Sequence, residues 1–128
     1  MDINLYNKIY VKVKNYLTSK SSYSPHIVKG VPNKPKYPLV VFYEIDNFVK
    51  GNTTRFEETH DSYIYEFDIY ATNVISGSAE IAGIEIAREV MVHIDKVMSN
   101  GGARRISTRP VPNVNKTLYR IIARYNIN

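Results

Sequence analysis

YIYEFDIYAT, residues 63–72, has the strict alternation of a β-strand. Successive side chains of a strand point to opposite faces, so one face is apolar throughout and carries Tyr63, Tyr65, Phe67, Ile69 and Ala71. The other face carries Ile64, Glu66, Asp68 and Tyr70. The apolar face predicts the floor under a helical layer, and the two acids on the other face need a separate explanation.

Further elements can be placed around this strand. FYEIDN, residues 42–47, lies in a second strand over 39–46 and carries two more acids, Glu44 and Asp46. A helix begins near Asp2, with an apolar stripe at Ile3, Tyr6, Tyr10, Val13 and Leu17. SGSAE opens a second helix over about 78–98, which SNGG ends. HIVKG is a short extended segment, and 104–111 and 117–127 are strands joined by the turn PNVN.

The order of these elements predicts the fold class. Sequential strands with hairpin-like connections favour an α+β two-layer sandwich, in which a mainly antiparallel sheet of four to five strands carries two helices packed on one face. The length of 128 residues fits one domain over 1–128. Residues 47–61 show no apolar periodicity and are interpreted as a long mobile docking loop that includes Phe48, Lys50, Arg55, Phe56, Glu57 and Glu58.

Composition narrows the classes of function. The chain has no cysteine, so disulfides and thiolate metal sites are excluded. No apolar stretch of about 18 residues predicts a membrane span, and the N-terminus does not resemble a secretion signal, so we expect no membrane partner and assembly in a cytoplasm.

The net charge of +5 is strongly segregated along the chain. Residues 1–36 carry +6, residues 37–72 carry −5, residues 73–100 carry −2 and residues 101–128 carry +6. Such blocks favour either nucleic-acid contact or pairing of the chain with itself or with copies of itself.

Catalytic chemistry finds little support in the sequence. The four acids lack the glycine-containing turn of a calcium loop, and His26, His60 and His93 lack ligand spacing, so we expect neither metal nor cofactor. A paired-carboxylate hydrolase remains possible in principle, but no second motif supports it. Nucleophile elbows, phosphate loops and zinc-protease motifs are absent, and the chain is expected not to be an enzyme.

Arginines cluster in the last quarter of the chain, at Arg104, Arg105, Arg109, Arg120 and Arg124. With Tyr119 and Tyr125 interleaved, they could bind a nucleic-acid strand. Alternation instead places Tyr119, Ile121, Ala123, Tyr125 and Ile127 on the core face, which leaves Arg120 and Arg124 on the face that carries the acids. Arginine suits bidentate pairing with carboxylates, so these groups are predicted to serve a protein interface.

The chain resembles the tail-terminator, or tail-completion, proteins of long-tailed bacteriophages. The resemblance covers the order of elements over the whole chain, KPKYPLVVFYEID, YIYEFDIYAT before an Ala/Ile-rich helix, and the closing LYRIIARYNI. It implies a structural virion protein at the tail–head junction, assembled in the host bacterial cytoplasm. Its partners would be copies of itself in a hexameric ring, the tail tube protein and the head connector, and DNA would pass through the ring without specific binding.

On this resemblance the acids Glu44, Asp46, Glu66 and Asp68 of one subunit would meet the arginines of the next around the ring. The alternatives are another head–tail joining protein of the same fold and a basic nucleic-acid-binding module.

Overall fold

The computed structural model describes residues 4–50, 60–111 and 118–127, and for residues 46–50, 60–62 and 76 it describes the backbone alone. The elements in chain order are α1 (Leu5–Lys20), β1 (His26–Val28), β2 (Leu39–Lys50), β3 (His60–Thr72), β4 (Val74–Ser76), β5 (Ala79–Ile81), α2 (Gly83–Asn100), β6 (Arg104–Val111) and β7 (Leu118–Ile127).

Five strands form the main sheet in the order β1-β2-β3-β7-β6. Only the short β1 runs parallel to its neighbour, and the other three pairings are antiparallel. The buried side chains of both helices join one hydrophobic cluster with one face of this sheet. The predicted α+β two-layer sandwich, with a mainly antiparallel sheet, is therefore confirmed.

The predicted floor of the core is also present. The five alternate apolar residues of β3 are all buried: Tyr63, Tyr65, Phe67, Ile69 and Ala71. Stacked and edge-on aromatic rings connect them to the neighbouring strands, with ring centroids 4.5 Å apart for Phe42 and Phe67 and 5.9 Å apart for Phe67 and Tyr125. Such pairs stabilise a core beyond the area they bury.

Helix α1 packs through a stripe close to the predicted one. Val13 and Leu17 are buried, but so is Ile9, which the prediction omitted. Tyr6 and Tyr10 lie at the margin of the stripe, where their hydroxyls donate to the backbone oxygens of Phe42 and Ile27. Asp2 and Ile3 lie outside the described residues. Of the described helices, neither is long and apolar enough to cross a membrane.

The predicted start of the second helix was wrong. Residues 74–81 form the two-stranded hairpin β4–β5, and α2 begins only at Gly83. Gly77, with φ +62°, turns the chain between the paired residues Ser76 and Ala79, and a two-residue Gly-Ser loop is a hairpin signal. The side-chain oxygen of Asn73 accepts the N–H of Gly83 at 2.8 Å and so satisfies one of the free backbone donors at the start of α2. The helix had been predicted to begin near Ser78.

The predicted loop over 47–61 was too long. Strand β2 continues to Lys50 and β3 begins at His60, so that the ladder extends past a β-bulge between Glu44 and Asp46. Phe48 and Lys50, both predicted to lie in a docking loop, are opposite Ser62 and His60 in this ladder. The remaining predicted docking residues, Arg55, Phe56, Glu57 and Glu58, lie outside the described residues, as does the predicted turn at 112–115.

Candidate functional site: the outer face of the sheet

The face of the sheet opposite the helices collects most of the predicted site residues, and we call it the outer face. Register and alternation define its described members: Leu39, Val41 and Tyr43 of β2; Ile64, Glu66, Asp68 and Tyr70 of β3; Leu118, Arg120, Ile122, Arg124 and Asn126 of β7; and Arg104, Ser107, Arg109 and Val111 of β6. No helix of the described chain covers this face, and yet several of its side chains are buried.

Two ion pairs occupy the centre of the outer face. Arg124 lies directly opposite Glu66 in the β3–β7 ladder, and its Nε donates to Glu66 Oε1 at 2.7 Å. Arg120 lies opposite Tyr70 and reaches diagonally to Asp68, with Nη2 2.5 Å from Oδ2. The arginines that the acids meet therefore belong to the same chain. Any contact of these groups with a neighbouring subunit stays a prediction.

The carboxylates are far more deeply buried than their partners. The side chain of Asp68 is 2% exposed and that of Glu66 10%, against 31% for Arg120 and 47% for Arg124. The long arginine side chains lie over the acids, and the Arg120 guanidinium also stands 5.3 Å from the centroid of the Tyr70 ring. Because the guanidinium groups remain partly hydrated, the arrangement avoids the full desolvation of two buried charges.

The two carboxyls respond oppositely to this site. Burial raises the pKa of Asp68 to about 6, and the neighbouring Glu66 adds to the rise while Arg120 opposes it. Burial also acts to raise the pKa of Glu66, but hydrogen bonds with Asp68 and Arg124 and the positive charge of both arginines outweigh it, so that the pKa of Glu66 is lowered. This is the behaviour of two adjacent acids that share one proton.

An unfilled hydrogen-bonding position supports the sharing of that proton. Asp68 Oδ1 is buried, and no hydrogen-bond partner reaches it within the described part of the chain. A proton carried by Asp68 could be donated to Glu66, which would satisfy both groups. Asp68 and Glu66 can therefore share one proton.

A cavity of about 510 Å³ lies on the helical side of the molecule, between α1 and the end of α2, and neither carboxylate lines it. Across residues 4–50, 60–111 and 118–127, no three His, Asp or Glu side chains are grouped so as to hold a metal ion.

The structure separates the five clustered arginines. Arg104 and Arg109 are exposed members of the outer face, aligned with Asn126 and Ile122 of β7. Arg105 points to the helical side, where its Nη1 lies 3.4 Å from Asp95 Oδ1. That same oxygen accepts the hydroxyl of Tyr125 at 2.9 Å, and burial raises the pKa of this tyrosine. A bulge between Arg105 and Ser107 shifts the register, so that Arg109 lies on the opposite face from Arg105 although the two are four residues apart.

The four acids do not form one group. Glu44 lies opposite Tyr65, on the helical side of the sheet, and is exposed. The bulge shifts the register after Glu44, so that Asp46 is aligned with Ile64 of the outer face; its side chain is not described. Of the three predicted acids whose side chains are described, only Glu66 and Asp68 are brought together.

The sequence analysis did not identify Tyr43 and Tyr70 as residues of this site. Burial raises the pKa values of Tyr43 and Tyr70, and the charges of Asp68 and Arg120 act on both. Tyr43 is aligned with Glu66, and Tyr70 with Arg120. Their positions in alternating strands beside the acids were a usable signal, since cross-strand neighbours share a face.

No protein-family model matches the chain, and no curated protein matches it significantly.

Proposed function

We propose that the chain is a structural subunit of a bacteriophage tail, a tail terminator that assembles into a ring on the tail tube, stops its polymerisation and presents the docking surface for the head connector. The sequence features that resemble this class, the three strand motifs and the order of elements, support the proposal. The two-layer fold is compatible with it, although folds of this kind serve many functions.

The observation that carries the proposal furthest is the composition of the outer face. Exposed Arg109 lies opposite the buried apolar Ile122 in the β6–β7 ladder, and exposed Arg104 lies opposite Asn126. Glu66 and Asp68 are neutralised within the chain by Arg124 and Arg120, so the free charge of the described outer face is positive. Arginine beside apolar groups is the composition of a protein interface, and the proposed partner is the tail tube or connector.

A tube-assembly assay tests this function. Tail tube protein from the same genome would be polymerised with and without the chain, and tube length measured by electron microscopy. We expect short tubes of uniform length, each ending in a ring, only when the chain is added. Tubes as long as those formed without it would contradict the proposal. Neighbouring genes for a tube or connector protein would support it independently.

A charge-reversed pair of variants locates the contact surface. Arg109→Glu changes the outer face and should reduce capping, whereas Arg88→Glu makes the same change on an exposed residue of α2 and should not. If the two variants cap tubes equally well, the outer face is not the contact surface. Another head–tail joining protein of this fold would form a ring without shortening the tubes.

A nucleic-acid-binding module is the second candidate, and a specific observation favours it. Arg104 and Arg109 are exposed and form no ion pair with the described residues. If they bind single-stranded DNA, affinity should fall steeply with salt and fall further in an Arg104→Ala, Arg109→Ala double variant. If the chain binds no single-stranded DNA at low salt, this second candidate is excluded and the assembly proposal remains.

A further inference from the structure

The β4–β5 hairpin presents an apolar side chain next to an acid. Ile75 and Glu80 are directly opposite each other in the hairpin, so both point to the same side. Ile75 is 77% exposed, the most of the exposed large hydrophobic residues in the described chain. Because apolar side chains stabilise a fold by being buried, an isoleucine this exposed contributes little to the stability of its own chain.

The hairpin is firmly attached at its base. Asn73 accepts the N–H of Gly83 through its side-chain oxygen at 2.8 Å, and its amide nitrogen donates to Glu80 Oε1 at 3.1 Å. These two bonds connect the start of α2, the segment before β4 and the strand β5. The exposed Ile75 is therefore held in a defined position relative to the helical layer.

A groove of complementary character lies between α1 and the end of α2. Its volume is about 510 Å³, within the range of binding cavities. Apolar side chains form most of its lining, among them Leu5, Ile9, Val97, Met98 and Ile127. Lys8 and Lys12, both exposed, also line it, so an acid carried beside an apolar group would be favoured there.

Hairpin and groove lie at opposite ends of the molecule. The hairpin immediately precedes Gly83, the first residue of α2, and the groove includes Gly101, which follows its last residue. A helix of 18 residues is about 27 Å long, so the two surfaces of one chain cannot meet. Two copies placed head to tail can bring them together.

We propose that the hairpin of one copy inserts Ile75 into the groove of a second copy, with Glu80 facing Lys8 and Lys12. The contact is heterologous, and repeated contacts of this kind close into a ring when the rotation between copies permits. The inference rests on the proposed ring-forming function and specifies which surfaces of the subunits join. It leaves the outer face of the sheet free for the tube or connector.

Disulfide trapping tests this contact directly, because the chain contains no cysteine of its own. One variant carries Ile75→Cys on the hairpin, and the other carries Val97→Cys in the groove and an affinity tag that distinguishes its mass. Mixed under mild oxidation, they should give a hetero-dimeric product. The matched control replaces the groove variant with Val92→Cys, a half-exposed position of α2 that does not line the groove, and should give at least about tenfold less.

Charge exchange gives a second readout that does not depend on oxidation. Lys12→Glu should weaken association by about tenfold, and combining it with Glu80→Lys should restore much of the loss. Both positions are exposed, so neither change should unfold the chain, although Glu80→Lys also removes the oxygen that accepts from Asn73.

The outcomes separate this inference from the proposed function. If the unmodified chain forms rings but the hairpin and groove cysteines do not join, or if Ile75→Cys joins only to itself, the contact is overturned and ring assembly stands. If the unmodified chain forms no oligomer at high concentration, both are overturned. Equal trapping with the Val92→Cys control also overturns the contact.

Discussion

Asp68 is the residue whose environment departs most from that of a surface acid. Its side chain is 2% exposed, it lies beside Glu66, and its pKa is raised to about 6 by burial. In the unfolded chain its pKa returns to the ordinary value near 3.8. Its proton therefore stabilises the folded state at acidic pH, and this stabilisation is lost as pH rises through about 6.

Replacing this acid with its neutral analogue should change the pH dependence of stability. Asp68→Asn keeps an oxygen for Arg120 and gains an amide that can donate to Glu66. Relative to the unmodified chain, its free energy of unfolding should rise by roughly 1–3 kcal/mol between about pH 4 and about pH 7.5. Urea unfolding at both pH values measures this, and a difference independent of pH would show that Asp68 is ionised throughout.

The two ion pairs should differ in their importance for stability. Arg120→Ala leaves the nearly inaccessible Asp68 without its partner and should cost about 3 kcal/mol. Arg124→Ala uncovers the less buried Glu66, which water can then reach, and should cost about 1 kcal/mol. Arg109→Ala, on the same face but without an ion pair to a described residue, serves as the control and should stay within about 0.5 kcal/mol. Equal losses for Arg120→Ala and Arg124→Ala in chemical denaturation would contradict this order.

At the scale of elements, the close approach of α2 to the sheet depends on Gly83. A Cβ at this position would lie 2.6 Å from Cδ2 of Tyr119 and 3.0 Å from the backbone oxygen of Ala71. The backbone of β3 cannot move aside easily, so Gly83→Ala should lower the free energy of unfolding by about 1–3 kcal/mol.

A second glycine provides the matched control for this substitution. An added Cβ at Gly30 would have no atom within 4 Å, so Gly30→Ala should leave the stability nearly unchanged. Thermal unfolding of both variants measures this difference. If the two variants unfold at the same temperature, the packing of α2 against β3 and β7 is looser than described.

The elements that could be predicted were those with long, regular periodicity. The alternation at 63–72 identified the buried face of β3 residue by residue, because a period of two leaves one register compatible with a core. The alternation of the last strand, over 117–127, also placed Arg120 and Arg124 on the face of Glu66 and Asp68. The sequence could not show that these groups pair within one chain, because this depends on the register between β3 and β7.

The predicted bounds that were wrong, the start of α2 and the end of β2, depend on contacts with residues elsewhere in the sequence. Asn73 satisfies the start of α2 from ten positions away, so the serines at 76 and 78 are not needed as caps. The two-residue loop Gly77-Ser78 was present as a hairpin signal, but it competed with the interpretation of the same residues as a helix start. The ladder beyond the bulge in β2 likewise depends on its partner strand.

At the scale of the whole molecule, folding rearranges the charge blocks that run along the chain. The strand that carries Glu66 and Asp68 is placed beside the basic β7, which neutralises part of each block internally. Lys12 and Lys20 of α1 and Arg104 and Arg109 of β6 are exposed and remain available to partners. The β4–β5 hairpin and the lysine-lined groove lie at opposite ends, and they are the surfaces that we propose to join one copy to the next.

The central claim is that this chain acts as a ring-forming subunit, and its mass in solution tests it most directly. Light scattering coupled to size exclusion should give about six times the chain mass of 14.7 kDa, and Ile75→Asp should reduce this value without unfolding the protein. A value of 14.7 kDa that persists at high protein concentration would contradict the account.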